Sequence, residues 1–263
     1  MSAFGQMRPR PPLVKKASSR PVPPLFSTRA GSATLRAMTS SAIPSPPSAA
    51  APGRPAHPRH AASLILWRQA GAAAADGTRE GTVEVLMGMR AAGHRFMPNR
   101  LVFPGGRVDL ADRTAPAATE LRPDTRAALE RRAPPRLARA LAIAAARELE
   151  EETGLRLGGP LPTLDRLHYL CRAVTPARSP IRFNARFLVA PAEAAEGTLS
   201  GSGELEQLAW LPLEGVLALP VAPITARVLG EFRDWLAMPE AARATRPLIW
   251  FQGRENRRLE VAA

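Results

Sequence analysis

The sequence has 263 residues, of which 45% are hydrophobic, so it is long enough to bury a substantial core in one large domain or two small ones. Its formal net charge is +13, but residues 1–60 contain nine Lys and Arg and no Asp or Glu, so the remainder is only mildly basic and the charge does not indicate a nucleic-acid-binding fold. The single cysteine, Cys171, excludes an internal disulfide, and no apolar run is long enough to predict a transmembrane helix.

Residues 1–60 are rich in Pro, Ser, Ala and Arg and have no apolar periodicity. Such a segment cannot bury enough surface to offset its chain entropy, which predicts a disordered tail. Its Arg-rich, acid-poor composition is also typical of an organelle transit peptide. A third interpretation places the true start at Met38. We expect a cytoplasmic protein, with organelle targeting by the tail left open.

From residue 61 the pattern changes to alternating apolar runs and amphipathic stretches, which predicts a single α+β domain over 61–263 with an insertion at about 113–134. Few helices among many strands favour a sandwich over a doubly wound sheet. The predicted strands are 61–69, 82–90, 99–103, 167–174, 181–190, 208–213 and a closing hairpin of 247–251 and 257–261, and the predicted helices are 123–132, 135–153, 213–219 and 223–238.

The helix predicted over 135–153 ends in an acidic cluster. Glu148, Glu151 and Glu152 stand at i, i+3 and i+4, so they share one helix face. Carboxylates on one face repel each other unless a hard divalent cation lies among them. Arg147 is four residues before Glu151 and can pair with it, and Gly154 ends the helix. The alternative is a solvated acidic helix face.

A glycine turn precedes this helix. The strand over 99–103 runs into Pro104, Gly105 and Gly106, and glycines let backbone groups approach a ligand closely. A strand, a diglycine loop and an acidic helix together predict a site for a phosphate group and a metal ion.

This combination resembles the Nudix signature, G-x5-E-x7-R-E-U-x-E-E-x-G-U, in which U is apolar. Gly106 takes the place of the first Gly, Asp112 stands where the first Glu is expected, and residues 147–155 match the second half. The large departure is spacing, because 34 residues separate Asp112 from Arg147 where the family pattern has seven. The split layout resembles the Nudix subgroup that includes peroxisomal coenzyme A diphosphatases, over roughly residues 61–260.

The resemblance implies an α/β/α sandwich around a mixed sheet, with Mg²⁺, or Mn²⁺ instead, held by Glu148, Glu151 and Glu152. It implies that Glu151 and Glu148 are catalytic, without deciding which carboxylate is the general base. Asp112 and Arg147 are expected to support the loop and the helix.

The substrate is expected to contact the loop at Gly105 and Gly106. Two arginines on predicted strands, Arg172 and Arg186, could clamp phosphates, because a guanidinium binds phosphate oxygens bidentately. Solvent-facing strand arginines are the alternative. The loop acids that could add a ligand or a base are Glu204 and Glu206.

These expectations describe a Mg²⁺-dependent hydrolase that cleaves a diphosphate linkage in a nucleoside-diphosphate-linked metabolite, with coenzyme A or an acyl-CoA heading the candidates because of the subgroup resemblance. The alternatives are a non-catalytic Nudix-fold nucleotide-binding module and an RNA-end processing hydrolase. The expected partner is a small-molecule diphosphate; neither a membrane nor a nucleic acid is expected, and a homodimer stays open. The insertion is expected beside the mouth of the site, or else as a solvent-facing bulge.

Overall fold

The computed structural model describes residues 56–71, 81–93, 97–216, 218–219, 221–253 and 256–260. The predicted disordered tail therefore lies outside the described residues, except for residues 56–60. None of the described helices is long and apolar enough to cross a membrane.

Eleven strands are found in the described part of the chain, and the long ones are those with alternating or continuous apolar residues in the sequence. The strand predicted over 82–90 has its predicted bounds, whereas the one predicted over 99–103 is reduced to two residues. The strands are β1 (Arg59–Ala70), β2 (Thr82–Arg90), β3 (Leu101–Val102), β4 (Gly105–Arg107), β5 (Leu155–Leu157), β6 (His168–Val174), β7 (Phe183–Pro191), β8 (Ala195–Gly197), β9 (Leu205–Pro212), β10 (Leu248–Gln252) and β11 (Asn256–Glu260).

The four predicted helices are present, and that over 135–153 has its predicted bounds. Pro occupies the first turn of the three longest helices, where its missing N–H costs nothing. Gly154 ends the second helix with φ 72°, a left-handed conformation that glycine adopts readily. The helices are α1 (Pro123–Glu130), α2 (Pro135–Thr153), α3 (Leu213–Val216), α4 (Pro223–Ala237) and α5 (Glu240–Arg243), with short 3-10 helices at Ala111–Arg113, Leu164–Arg166 and Ala192–Ala194.

The described strands form one mixed nine-stranded sheet and a separate pair, β5 with β8. The order in the large sheet is β11-β10-β6-β7-β1-β2-β3, with β4 paired to β1 and β9 paired to β2. The β1–β7 and β6–β10 pairs are parallel and the others are antiparallel. This confirms the predicted mixed sheet.

Helices cover both faces of the sheet, as the alternation along β1 requires. Ala62, Leu64 and Leu66 face α2 in one core, which we call the α2-side core, and Ile65 lies in the other, the α4-side core. The sandwich architecture is therefore confirmed, and the sheet face next to α2 is the one that carries the acidic cluster.

The glycine segment differs from its predicted form. Gly105 and Gly106 were expected to make a turn that stops a strand, but they lie in β4 and pair with Ser63 and Ala62 of β1. The backbone of β4 makes ladder hydrogen bonds to β1, so the glycines lie on the sheet surface beneath α2 rather than in a free loop.

The insertion is not the solvent-facing bulge that was the alternative expectation. It contains α1 and ends just before α2, and Leu121, Leu129 and Ala133 are buried in the α2-side core. The Thr125 hydroxyl donates a hydrogen bond to the Leu167 carbonyl, 2.9 Å away. The added residues therefore extend the interior of the domain.

Candidate active site

The β4 segment brings the backbone of two glycines against the last turns of α2. A Cβ on Gly106 would overlap the Glu148 carboxylate, and a Cβ on Gly105 would lie 2.5 Å from the Cα of Ser63. Real Cβ contacts are never this short, and Gly105 has φ 155°, which disfavours other residues. Gly105 therefore allows the backbone of β4 to lie close against β1, and Gly106 leaves the space that the Glu148 carboxylate occupies.

Glu152 is the most enclosed carboxylate of the cluster, with 3% of its surface exposed. Its Oε2 accepts a hydrogen bond from the backbone N–H of Gly105 at 2.7 Å. Burial raises its pKa to about 8, an effect that the Gly105 hydrogen bond opposes and the nearby charge of Glu148 increases. The side chain is therefore largely protonated at neutral pH unless a cation binds beside it.

Glu148 lies one turn earlier on α2 and faces Gly106. Burial raises its pKa, the Arg147 guanidinium lowers it, and the charges of Glu151 and Glu204 raise it further. Glu204 acts on Glu152 in the same direction, which places this loop acid near both helix carboxylates. Negative charge is thus concentrated around the partly buried carboxylates of Glu148 and Glu152.

The Arg147 guanidinium connects the helix to the loop that follows β4. Its Nε and Nη2 donate to the two carboxylate oxygens of Asp112 at 3.0 and 3.1 Å, and Nη2 also donates to the Arg107 carbonyl at 2.9 Å. Nη1 donates to Glu148 at 2.9 Å and to Glu151 at 2.8 Å. The predicted Arg147–Glu151 pair is therefore present, and it is one part of a larger network.

Asp112 occupies the base of this network. It is buried, and its Oδ2 also accepts a hydrogen bond from the backbone N–H of Asp109 at 2.7 Å. Both of its carboxylate oxygens accept hydrogen bonds from Arg147 or the loop backbone.

Glu151 differs from its two neighbours because its side chain is 56% exposed and turned toward Arg147. In the described part of the chain, no set of three or more His, Cys, Asp or Glu side chains is close enough to hold a metal ion in this arrangement. The donors nevertheless fit a hard cation, since carboxylate oxygens are what Mg²⁺ prefers and the mutual repulsion around Glu148 and Glu152 is what a cation would relieve. Rotation of the exposed Glu151 is the change that would complete the set.

The structure places Arg172 and Arg186, the two predicted phosphate ligands, among the buried residues. Arg186 has 1% of its surface exposed, and it donates to the carbonyls of Asn184 and Arg132 at 3.0 and 2.9 Å. Arg172 is also buried and lies over the Trp250 ring, with 4.4 Å between its Cζ and the ring centroid. Both side chains thus lie in the interior of the domain.

Sequence reasoning did not single out Arg90, a cation of β2 whose charge acts on Glu152. The signal was present in the strand predicted over 82–90, because its alternation puts Leu86, Gly88 and Arg90 on one face. Which face this is could be known only once β2 was placed in the sheet.

A mixed sheet between helices, with an acidic helix end lying on two glycines, defines the Nudix class of folds. Residues 139–232 match the model of the family described as NUDIX domain, and this segment contains the whole acidic end of α2. The fold is therefore a Nudix fold, and residues 139–232 are similar to the NUDIX domain of hydrolases that act on pyrophosphate bonds.

Solved structures of Nudix proteins are similar to this chain. A NUDIX hydrolase from Alicyclobacillus acidocaldarius has 26% identity and a TM-score of 0.47, with 66% of this chain and 90% of that one covered. The NUDIX domain of Shewanella oneidensis NrtR complexed with ADP ribose has 17% identity and a TM-score of 0.42, with 69% and 90% covered. The MutT NUDIX hydrolase from Burkholderia pseudomallei has 21% identity and a TM-score of 0.42, with 67% and 98% covered. No match was found among curated proteins.

Proposed function

We propose that this protein is a Mg²⁺-dependent hydrolase that cleaves a diphosphate linkage in a nucleoside-diphosphate-linked metabolite. The observation that supports this function is the acidic end of α2 lying on β4, where Glu148 and Glu152 meet the two glycines and Arg147 fixes the adjoining loop. A surface acidic helix would need neither the glycines nor the burial of its carboxylates.

Glu148, Glu151 and Glu152 would hold Mg²⁺, or Mn²⁺ in its place. The bound cation would neutralise diphosphate oxygens and lower the pKa of a water molecule. Arg147 keeps Glu148 and Glu151 oriented on one side of the helix, through hydrogen bonds of 2.9 and 2.8 Å. A carboxylate within hydrogen-bond reach of the attacking water accepts its proton, and Glu151 and Glu148 are the two candidates for this role.

The proposed function includes a substrate class and a cellular location. We place coenzyme A and acyl-CoA first among the substrates, because of the long spacing between Asp112 and Arg147. NADH, ADP-ribose and nucleotide sugars follow. The protein is proposed to act in the cytoplasm, and a homodimer is compatible with the proposal.

The test is an assay of the full-length protein with Mg²⁺ and this panel of diphosphates, with the products identified by mass spectrometry. Glu151→Gln should lower kcat roughly 10²- to 10⁴-fold, since it removes a group able to accept a proton and bind the cation. Glu150→Gln is the matched control, because Glu150 is exposed on the same helix turn and makes no side-chain contact with the cluster in the described structure.

We expect hydrolysis that requires Mg²⁺. It should be lost in Glu151→Gln and kept in Glu150→Gln. Turnover of no member of the panel, or equal turnover by the two variants, would overturn the proposal. Products of mass appropriate to cleavage between the two phosphorus atoms identify the bond that is broken.

A further inference from the structure

Arg90 ends β2 on the sheet face that carries the carboxylate cluster. Along β2, Leu86 lies in the α2-side core while Val85 and Met87 lie in the α4-side core. Since strand side chains alternate, Gly88 and Arg90 are on the same side as Leu86. The chain of β3, which pairs with β2 at Gly88 and Met89, continues directly into Gly105. The backbone of Arg90 itself pairs with Arg100, and its side chain lies on the α2 side of the sheet.

An irregularity in the β2–β9 pair brings a second loop beside Arg90. The register shifts between Met87 and Met89, and Gln207 of the bulged strand has φ 51°, a conformation uncommon for residues other than glycine. Bulges and such conformations concentrate near functional sites because they redirect side chains. Here the bulge sets Leu205 opposite Arg90, and the Glu204 carbonyl accepts a hydrogen bond from the next residue, Ala91.

The guanidinium of Arg90 forms no ion pair with any of the described residues. Its Nε is buried and finds no hydrogen-bond partner. By contrast, Arg68 on the same sheet face forms an ion pair with Glu84 at 2.7 Å and lies over Trp210, and Arg147 uses all of its guanidinium nitrogens. Leaving a buried donor unpaired is unfavourable, so a ligand oxygen that reaches this Nε would gain a hydrogen bond.

Arg90 interacts electrostatically with Glu152, so its guanidinium lies within electrostatic reach of the carboxylate cluster. A cation bound by the carboxylates would neutralise them. The guanidinium of Arg90 would then have no counter-charge in the cluster. The anion that then arrives at this position is a substrate phosphate, and a guanidinium binds two phosphate oxygens through parallel N–H donors.

We propose that Arg90 is a substrate-binding residue that holds an anionic phosphate oxygen of the diphosphate, on the side of the carboxylate cluster formed by β2 and β9. This inference rests on the proposed function and assigns a residue outside the helix and glycine motifs. It requires a substrate whose diphosphate presents a charged oxygen toward Arg90 while the carboxylates of α2 hold the cation.

The test measures two affinities that should change in opposite directions. In the full-length protein, Arg90→Gln should weaken binding of imidodiphosphate, a non-hydrolysable diphosphate, in saturating Mg²⁺ by roughly tenfold to a hundredfold. The same variant should bind Mg²⁺ alone as tightly as the natural protein or more tightly, because a repelling charge has been removed. Both are measured by isothermal titration calorimetry.

Two further variants separate a binding role from a structural one. Arg90→Lys keeps the charge but loses the forked geometry, so it should fold normally and bind imidodiphosphate between the natural protein and Arg90→Gln. Arg100→Gln is the matched control, since Arg100 is exposed at the same corner of the sheet and only its backbone carbonyl contacts Arg90. It should change neither affinity.

Unchanged imidodiphosphate binding in Arg90→Gln, or loss of Mg²⁺ binding together with it, would overturn the inference. The proposed function fails separately. If the natural protein hydrolyses no diphosphate yet binds imidodiphosphate through Arg90, the phosphate site stands without the activity. If turnover is present and Arg90→Gln has an unchanged KM, the activity stands and Arg90 is not part of the site.

Discussion

Arg147 compensates for the shortened acid at position 112. A side chain one methylene shorter than glutamate still receives two hydrogen bonds from Arg147, because the 3-10 helix at Ala111–Arg113 carries Asp112 into the protein interior. The departure from the Nudix signature is thus absorbed by the backbone of the loop. Arg147 in turn holds Glu148 and Glu151, so the loop and the helix are positioned together despite the long insertion between them.

At the residue scale, Glu152 should make both the stability of the fold and the binding of Mg²⁺ depend on pH. Because its pKa is raised to about 8 in the folded protein and is about 4.3 in an unfolded chain, the folded state without metal binds the proton more tightly. Ionisation therefore lowers the free energy of unfolding as the pH rises from about 4.3 to about 8. Binding of Mg²⁺ needs the ionised side chain, so it should release a proton and tighten over the same range.

Calorimetric titration of Mg²⁺ in two buffers with different ionisation enthalpies measures this proton release directly. At pH 7 we expect release of nearly one proton by the natural protein and much less by Glu152→Gln, which cannot ionise. Glu150→Gln, an exposed change on the same helix, should behave like the natural protein. Equal proton release by all three proteins would show that Glu152 is not a ligand to the cation.

At the element scale, the insertion stabilises the domain through α1. Leu129 has 2% of its surface exposed in the α2-side core, and Arg186 donates to the carbonyl of Arg132 at 2.9 Å, at the junction of α1 and α2. Replacing the whole insertion with a flexible linker would remove part of the core along with any role in substrate choice. Point substitutions are therefore needed to separate the two.

We predict that Leu129→Ala lowers the free energy of unfolding by about 2–5 kcal/mol, because it leaves a cavity in the core. Arg131→Ala, an exposed change two residues later in the chain, should alter it by less than about 0.5 kcal/mol. Urea denaturation monitored by tryptophan fluorescence measures both. A Leu129→Ala protein as stable as Arg131→Ala would mean that α1 does not belong to the core.

Some elements of this fold could be predicted from the sequence and others could not. The bounds of α2 and β2 could be predicted because each has a strong apolar period, and α2 has Pro at its start and Gly154 at its end. The strand character of Gly105 and Gly106, the β5–β8 pair and the bulge at Gln207 could not, since short strands and bulges are fixed by pairing partners distant in sequence. For the same reason the local pattern could nominate Arg172 and Arg186 as phosphate ligands but could not reveal that both are buried.

At the scale of the whole molecule, the boundary of the domain lies earlier than the sequence pattern alone placed it. The expected domain began at residue 61, but β1 begins at Arg59, and the Arg59 N–H donates to the Arg182 carbonyl at 2.9 Å. His60 contacts Arg186 at 3.0 Å, and the Ala56 carbonyl accepts a hydrogen bond from Arg182 at 2.7 Å. We therefore propose a catalytic domain that includes residues 56–60.

We predict that a chain beginning at Ala51 keeps the Mg²⁺-dependent turnover of the full-length protein, because all residues of the proposed site lie within residues 56–260. A chain beginning at Ala61 should lose several hydrogen bonds of β1, which together contribute about 2–4 kcal/mol and correspond to a melting temperature lower by roughly 5–15 °C. Differential scanning calorimetry and the diphosphatase assay on both chains measure the two effects. If the two chains have the same melting temperature, Arg59 and His60 do not stabilise β1. If the chain beginning at Ala51 is inactive, residues 1–50 contribute to function.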